Sequence, residues 1–460
     1  MPGLLHGLCC VFLLARPASA VPVVIEGVPS INWGSGQASH YEAALCAALT
    51  ALGCPVTYDD LLVASGSAFR TAWWPGRYSY YSRTVAPDDL VAVGAEAFGA
   101  TATTQAFRTA EEAWPAVCAS IDEGRPVILC HASGADVICG YDADQRQMIL
   151  QAYDTSEPGT QTKPFELFEG HAFRPRELIF VEYGGGREPV GLDWPAILTR
   201  AVRYADWPPD RTLLRGHVFG LGAYDAWART LRGGPDLETP EISAGFTSTY
   251  AIVLQDARSA ASVVLNDSAA LHEGLAEAAG HYMREAEILA TMRNTLAGGL
   301  GGTWQEVSDT IDRRFPEPQI REAAAQVVEQ ARAEEVLAIE ALREALHDLA
   351  PNADTSPGPA AVRPGPIPGP APEPTKTADA DYQRGLELKR AGKFAEAAEA
   401  LKAAIAADAK HVEAHWVLAW VLVELKDTDG ARAEFGKVVE LAPGTERAKQ
   451  AQDAIDRLRQ

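Results

Sequence analysis

The residues that could carry out nucleophilic chemistry in this sequence are one cysteine and two histidines. Cys46 supplies a thiol, and His131 or His171 could act as the base that removes its proton. Such a pair forms the covalent intermediates of thiol peptidases and acyltransferases. The thiol is reactive only where a helix N-terminus or a neighbouring imidazolium lowers its pKa. The place of Cys46 in its secondary structure therefore decides whether this chemistry is available.

Cys46 lies inside a predicted helix and not at its start. The run HYEAALCAALTALG has helical periodicity from His40 onwards, and Gly53 ends it. Cys46 comes almost two turns after His40, which is roughly 9 Å along the axis at about 1.5 Å per residue. We expect the thiol to face the core, where burial raises its pKa and slows its reactions.

A predicted β-hairpin occupies residues 134–155, with the sequence GADVICGYDADQRQMILQAYDT. Polar and apolar residues alternate along its first strand, a polar turn follows, and the second strand runs to Tyr153. Asp154 comes directly after that strand. The hairpin therefore places a carboxylate at the end of its second strand.

The distribution of helix and strand patterns along the sequence predicts a multidomain chain. Helix and strand patterns mix over residues 21–190, which predicts an α+β domain, whereas residues 191–350 carry almost only helical patterns and predict an all-α domain. The Pro- and Gly-rich residues 351–377 cannot bury a core, and we expect them to form an extended tether. A separate C-terminal module follows over residues 378–460.

The C-terminal module contains an internal repeat. Residues 378–411 align with residues 412–445 at a period of 34, and a more polar helix closes the chain. Small and apolar residues recur at the helix-packing positions of the repeat, namely Gly385, Ala397, Leu401, Ala404, Ala419, Ala431, Phe435 and Pro443.

This pattern resembles tetratricopeptide repeats, so we expect an α–α solenoid of two repeats and a capping helix. The resemblance implies a concave surface, which in this family usually binds a peptide or another protein. The alternative is that two repeats simply pack on the rest of the chain, because stable arrays usually have three or more units.

Residues 30 to about 345 resemble a second group of proteins. The segment HYEAALCAALTALGCPVTYDDLLVASGSAFR and the Gly-Tyr-Asp hairpin are similar to the papain-like domain of bacteriocin-leader-processing peptidases. They are more similar to the N-terminal domain of butirosin-type acyltransferases. The later segments GLGAYDAWARTL and LAEAAGHYMREAEIL look like the helical companion region of that second group.

The resemblance implies positions for a catalytic site, and the reactive residues are missing from them. The family's cysteine begins the long helix, and here that position falls on His40. The family's histidine lies at the start of the strand before Gly-Tyr-Asp, where this sequence has no histidine; His131 ends the preceding strand. Asp154 matches the orienting carboxylate, and Gln37 could supply an oxyanion donor. The resemblance thus implies a pseudoenzyme.

Charge and composition restrict the partners. The formal net charge is −22, which disfavours binding to nucleic acid or anionic lipid. No segment after the leader reaches the length of a membrane span. Three histidines of the helical region lack the spacing of a metal site, namely His217, His272 and His281. We therefore expect no cofactor and no bound metal.

The first twenty residues have the shape of a secretory signal peptide. An apolar stretch runs from Leu4 to Ala15, and small residues end at Ala20. We expect cleavage after Ala20 and export to the periplasm or the extracellular space; a wrongly assigned start of the sequence or a short buried segment is the alternative. Cys130 and Cys139 lie on successive predicted strands and could form a disulfide, although unpaired buried thiols are the favoured interpretation.

An aromatic cluster occurs in the segment TAWWPGRYSYYSR at residues 71–83. It could line a ligand or peptide cleft, or it could pack over the core. The candidate cleft residues are Trp73, Trp74, Tyr78, Tyr80 and Tyr81. A binding protein for a small hydrophobic ligand would rest on this cluster alone.

Two functions of different classes follow from these observations. The favoured one is an exported, non-catalytic scaffold or binding protein that has a degenerate papain-like domain and a repeat module for protein–protein interaction. The alternative is an active thiol peptidase or acyltransferase that uses Cys46 with His131 or His171. A thiol at a helix N-terminus beside an imidazole would favour the enzyme, and a thiol packed in the core would favour the scaffold.

Overall fold

The computed structural model divides the chain into two compact units, residues 1–364 and residues 365–460. The residues that the structure describes are 21–31, 36–73, 89–107, 109–131, 134–153, 159–165, 176–185, 191–208, 217–233, 240–299, 304–356, 381–382, 384–385, 388–389, 393–442, 448, 451–452, 454–455 and 458.

The described part of the first unit contains a seven-stranded sheet and a small two-stranded sheet, both antiparallel. The strands are β1 (Val23–Val24), β2 (Ala72–Trp73), β3 (Ala100–Phe107), β4 (Val127–His131), β5 (Gly134–Asp142), β6 (Gln147–Gln151), β7 (Thr160–Pro164), β8 (Arg176–Tyr183) and β9 (Val218–Phe219). The large sheet has the order β3-β8-β4-β5-β6-β7, and β1 pairs with the last part of β5. Strands β2 and β9 form the small sheet.

The predicted hairpin is confirmed as the pair β5 and β6. Ile138 lies opposite Leu150, and the register shifts between Ile138 and Gly140. Neighbouring residues of a strand point to opposite faces of the sheet, so each strand serves two cores. Val137 belongs to one of these cores and Ile138 to the other.

Helices cover both faces of the large sheet, and further helices continue the first unit. They are α1 (His40–Ala51), α2 (Tyr58–Ser65), α3 (Leu90–Ala97), α4 (Ala110–Asp122), α5 (Trp194–Ala205), α6 (Leu221–Leu231), α7 (Pro240–Asp267), α8 (Glu273–Ala297), α9 (Trp304–Arg314) and α10 (Pro318–Leu349). Helices α1, α2 and α3 pack on one face, and α4 packs on the other. The hydroxyls of Thr57 and Thr109 cap the N-termini of α2 and α4.

The α+β region and the helical region of the first unit share one hydrophobic core. Leu45 of α1 and Ile179 of β8 belong to the same buried cluster as Leu265 of α7 and Leu342 of α10. The boundary near residue 190 stays a prediction about chain organisation. In the structure, side chains from both sides of it pack together.

A buried ionic cluster lies among the helices of the first unit. Arg258 of α7 is completely buried, and its Nε lies 3.1 Å from Glu285 of α8 and 3.0 Å from Glu335 of α10. Burial raises the pKa of Glu335 well above its ordinary value, and the charge of Glu285 adds to the rise. Two buried carboxyl groups thus contact one buried guanidinium.

The same guanidinium reaches back to the chain before β2. Arg258 donates hydrogen bonds to the carbonyl oxygen of Ala68 at 2.5 Å and to the hydroxyl of Thr71 at 2.6 Å. At the next residue, the amide of Ala72 donates a hydrogen bond to the hydroxyl of Tyr250 in α7. The segment between α2 and β2 is thus fixed to the helical region by polar contacts in the interior.

The second unit is helical. Its long helices are α11 (Phe394–Ala407), α12 (Val412–Glu424) and α13 (Thr428–Leu441). Buried side chains of α11 and α12 pack against Leu388, and Phe435 of α13 packs with Ile455 near the end of the chain. Asp427 caps α13 through its carboxylate.

We expect the substitution Arg258→Met to lower the free energy of unfolding of the first unit by about 3–5 kcal/mol, because two buried carboxyl groups would lose the guanidinium that both of them contact. Arg232→Met is the matched control. Arg232 contacts Glu322 and Glu329 at the surface, so its removal should cost about 1 kcal/mol or less. Urea unfolding of the full chain measures both. Equal costs for the two variants would contradict the role assigned to the buried cluster.

Candidate functional site

The first turn of α1 lies in the interior of the first unit. His40, the first residue of the helix, is only 9% exposed, and its ring packs 4.2 Å from that of Tyr153. The imidazole also lies directly against Gly134, the first residue of β5. A Cβ atom at position 134 would stand 2.5 Å from Nδ1 of His40. The imidazole therefore uses the space that a side chain at position 134 would need.

The structure places the N-terminus of α1, where the resemblance implies a nucleophile, against Gly134 at the start of β5. The sequence analysis expected that strand to begin one residue later, at Ala135. Position 40 is at the N-terminus of α1, and position 134 begins the strand before Gly-Tyr-Asp. The first carries an imidazole and the second carries only hydrogen. A thiol-imidazole pair cannot form from these two residues.

The carboxylate of Glu42 lies beside this turn and is 2% exposed. Its two oxygens accept hydrogen bonds from the hydroxyls of Ser39 and Ser67. Glu42 is in the first turn of α1, where the helix dipole stabilises a negative charge. Both hydroxyls are therefore engaged as donors to a carboxylate.

A second carboxylate reaches the same helix end from α7. One oxygen of Asp256 accepts a hydrogen bond from the amide of Ala38 at 3.0 Å and another from the hydroxyl of Tyr58 at 2.6 Å. The Tyr58 oxygen in turn accepts from the amide of Ser39 at 2.9 Å. These contacts satisfy amide groups that precede the first helical turn.

Tyr153 connects this turn to the end of the hairpin. Its hydroxyl donates to the backbone carbonyl of Gln37, and its amide donates to Asp136 at 2.9 Å. Gln37, the predicted oxyanion donor, thus has its carbonyl held by an aromatic side chain. Asp154, the predicted orienting carboxylate, lies outside the described residues.

The predicted nucleophile of the alternative function, Cys46, lies in the hydrophobic core of the first unit. Burial raises the pKa of its thiol, which is the opposite of what a nucleophile needs. His131 ends β4 and pairs through its backbone with Gly134. The side chain of His131 and the whole of His171 lie outside the described residues. Cys130 and Cys139 do not form a disulfide with each other.

Trp73 is the described member of the aromatic cluster, and it packs in the interior. Its ring stacks on Trp227 at 5.0 Å, lies 5.6 Å from Tyr250, and donates from Nε1 to Thr230. These contacts account for Trp73 as a packing residue. The other candidate cleft residues, Trp74, Tyr78, Tyr80 and Tyr81, lie outside the described residues.

The predicted packing positions of the second unit lie in its interior. A Cβ atom at Gly385 would stand 2.6 Å from Cγ of Leu401, so the backbone at Gly385 approaches α11 as closely as a glycine allows. The buried positions are Gly385, Ala397, Leu401, Ala404, Ala419, Ala431 and Phe435. Pro443 lies outside the described residues.

A family model for the tetratricopeptide repeat matches residues 382–445. The C-terminal unit contains a tetratricopeptide repeat. This match confirms the predicted repeat and supports a role in protein–protein interaction. A search of curated proteins gave no match to the chain.

Two further observations concern the described residues alone. Within these ranges, the helices are too short or too polar to cross a membrane. The same part of the chain contains no group of three or more His, Cys, Asp or Glu side chains that could hold a metal ion.

Sequence reasoning missed three contributors to the site, namely Tyr58, Gly134 and Asp256. Gly134 is in the quoted hairpin, and its position at the start of a strand beside the candidate helix was a usable signal. Asp256 is 218 residues from Ala38, its partner. Nothing in the local pattern of α7 distinguishes this acid from a solvent-exposed one.

We expect iodoacetamide to leave Cys46 unlabelled in the native protein at neutral pH, because burial both shields the thiol and raises its pKa. Mass spectrometry of the Cys46 peptide measures the labelling, and the denatured protein is the positive control. His131→Ala should not change the rate, and Cys46→Ser should alter stability alone. Rapid labelling that slows when His131 or His171 is replaced would make the enzyme the better hypothesis.

Proposed function

We propose that this protein is an exported scaffold without catalytic activity. In this proposal, residues 21–190 form a degenerate papain-like domain and residues 191–350 form its helical companion. Residues 351–377 tether these regions to the tetratricopeptide module at residues 378–460. The module binds another protein or a peptide, and the first twenty residues are a signal peptide cleaved after Ala20.

The observation that carries the non-catalytic part is the contact between His40 and Gly134. In a papain-like domain the helix that begins here would present a thiol to an imidazole on the neighbouring strand. In this chain the imidazole is on the helix, and position 134 of the strand is a glycine without a side chain. The substitution at each position fits the other sterically, which supports a stable replacement of the reactive pair.

The remaining groups of the turn are engaged in hydrogen bonds with one another. Ser39 and Ser67 donate to Glu42, and Tyr58 donates to Asp256. Each hydroxyl therefore stabilises a buried carboxylate. This arrangement supports a structural role for the turn, because buried carboxylates are stabilised by the hydrogen bonds that they accept.

The repeat module supports the binding part of the proposal. Tetratricopeptide units stack helix pairs whose concave surface is free to take up a partner. In the described part of this module, Trp420 of α12 is 37% exposed although it packs on Phe435. Aromatic side chains are enriched in surfaces that bind other proteins.

The double variant H40C/G134H tests the proposed origin of the site. The introduced thiol would be at the N-terminus of α1, and the introduced imidazole would occupy the space that His40 leaves. We expect iodoacetamide at pH 7 to label the introduced thiol at least about tenfold faster in the double variant than in H40C alone, because the imidazole and the helix N-terminus both favour the thiolate.

The H40C variant is the matched control, since it has the thiol and the helix N-terminus but no facing imidazole. Peptide mapping separates the introduced thiol from the native cysteines, of which the structure describes Cys46, Cys54, Cys118, Cys130 and Cys139. Equal labelling rates in the two variants, with both folded by circular dichroism, would contradict a papain-like origin for this turn.

A further inference from the structure

Asp256 links α7 to the chain segment that precedes α1. Its Oδ2 atom accepts hydrogen bonds from the amide of Ala38 at 3.0 Å and from the hydroxyl of Tyr58 at 2.6 Å. The hydroxyl oxygen of Tyr58 in turn accepts a hydrogen bond from the amide of Ser39. One carboxyl group thus fixes two consecutive backbone amides, one directly and one through a tyrosine.

The charged groups that face Asp256 are acidic. Glu42 of α1 and Asp59 of α2 both act on it as negative charges, and Tyr58 is the remaining titratable neighbour. Among the described residues no Lys, Arg or His forms an ion pair with Asp256. Its negative charge is therefore balanced only by the two donors and by the positive end of the α1 dipole.

We propose that Asp256 is a proton-sensitive latch that holds α7 against the N-terminus of α1 and is strongest when its carboxyl group is protonated. A protonated carboxyl group keeps a carbonyl oxygen that can accept both hydrogen bonds, while the repulsion from Glu42 and Asp59 disappears. Removal of the proton leaves the same contacts and adds a poorly compensated charge. This inference does not depend on the proposed scaffold function.

The direction of the effect follows from the two states of the latch. Burial raises the pKa of Asp256 to about 6 in the closed state, whereas its ordinary value is 3.8. The closed state therefore binds the proton more tightly than the open state. The latch is fully stabilised below the lower pKa, weakens as pH rises between the two values, and changes little above the higher one.

Hydrogen exchange of the peptide that contains residues 36–42 measures the opening of the latch. After correction for the intrinsic exchange rate, we expect the opening constant to be about tenfold larger at pH 7 than at pH 5, from the two pKa values. In Asp256→Asn, which keeps a carbonyl acceptor without the charge, the opening constant should be the same at both values.

Two further variants separate Asp256 from other titrating groups. Asp267→Asn removes an exposed acid at the end of α7, and His40→Gln removes the imidazole in the first turn of α1. In both variants the opening constant should still be about tenfold larger at pH 7 than at pH 5.

Three results would overturn the latch. The first is an opening constant that is the same at pH 5 and pH 7 in the wild-type chain. The second is a tenfold pH dependence of the opening constant in Asp256→Asn. The third is the absence of that pH dependence in His40→Gln. If Asp256→Asn does not fold, the wild-type pH profile with the other two variants still decides the question.

Discussion

The burial of the N-terminus of α1 is the constraint on which the centre of the first unit depends. A helix N-terminus carries free amide groups and a positive partial charge, and at a protein surface water satisfies them. Here the turn is enclosed by β5, by Tyr58 of α2 and by Asp256 of α7. Its amides, its first carboxylate and its imidazole must all find partners inside the protein.

These requirements agree with the hydrophobic core that the α+β region and the helical region share. Asp256 reaches α1 from the helical region, and two residues further along α7 the guanidinium of Arg258 reaches the segment before β2. Polar contacts that bridge the two regions occur only where the regions pack closely. The apolar cluster that combines α1 and α2 with α7, α8 and α10 agrees with this arrangement.

The sequence predicted the elements whose signals are local. Gly53 ended the first long helix, the alternating pattern located β5 and β6, and the period of 34 located the repeat. The shared core was not predictable in the same way. The sequence pattern changes near residue 190 from mixed helix and strand to almost only helix, but side chains from both regions pack in the same core. Contacts such as that between Asp256 and Ala38 join distant parts of the chain and leave no periodic trace.

The central claim is that the imidazole of His40 fills the space over Gly134, and a double-mutant cycle tests it directly. Gly134→Ala adds a Cβ atom where the ring lies, so it should lower the free energy of unfolding by about 1–3 kcal/mol in the native background. In the His40→Ala background the ring is gone, and the same substitution should cost close to nothing. An equal cost in both backgrounds would contradict the account.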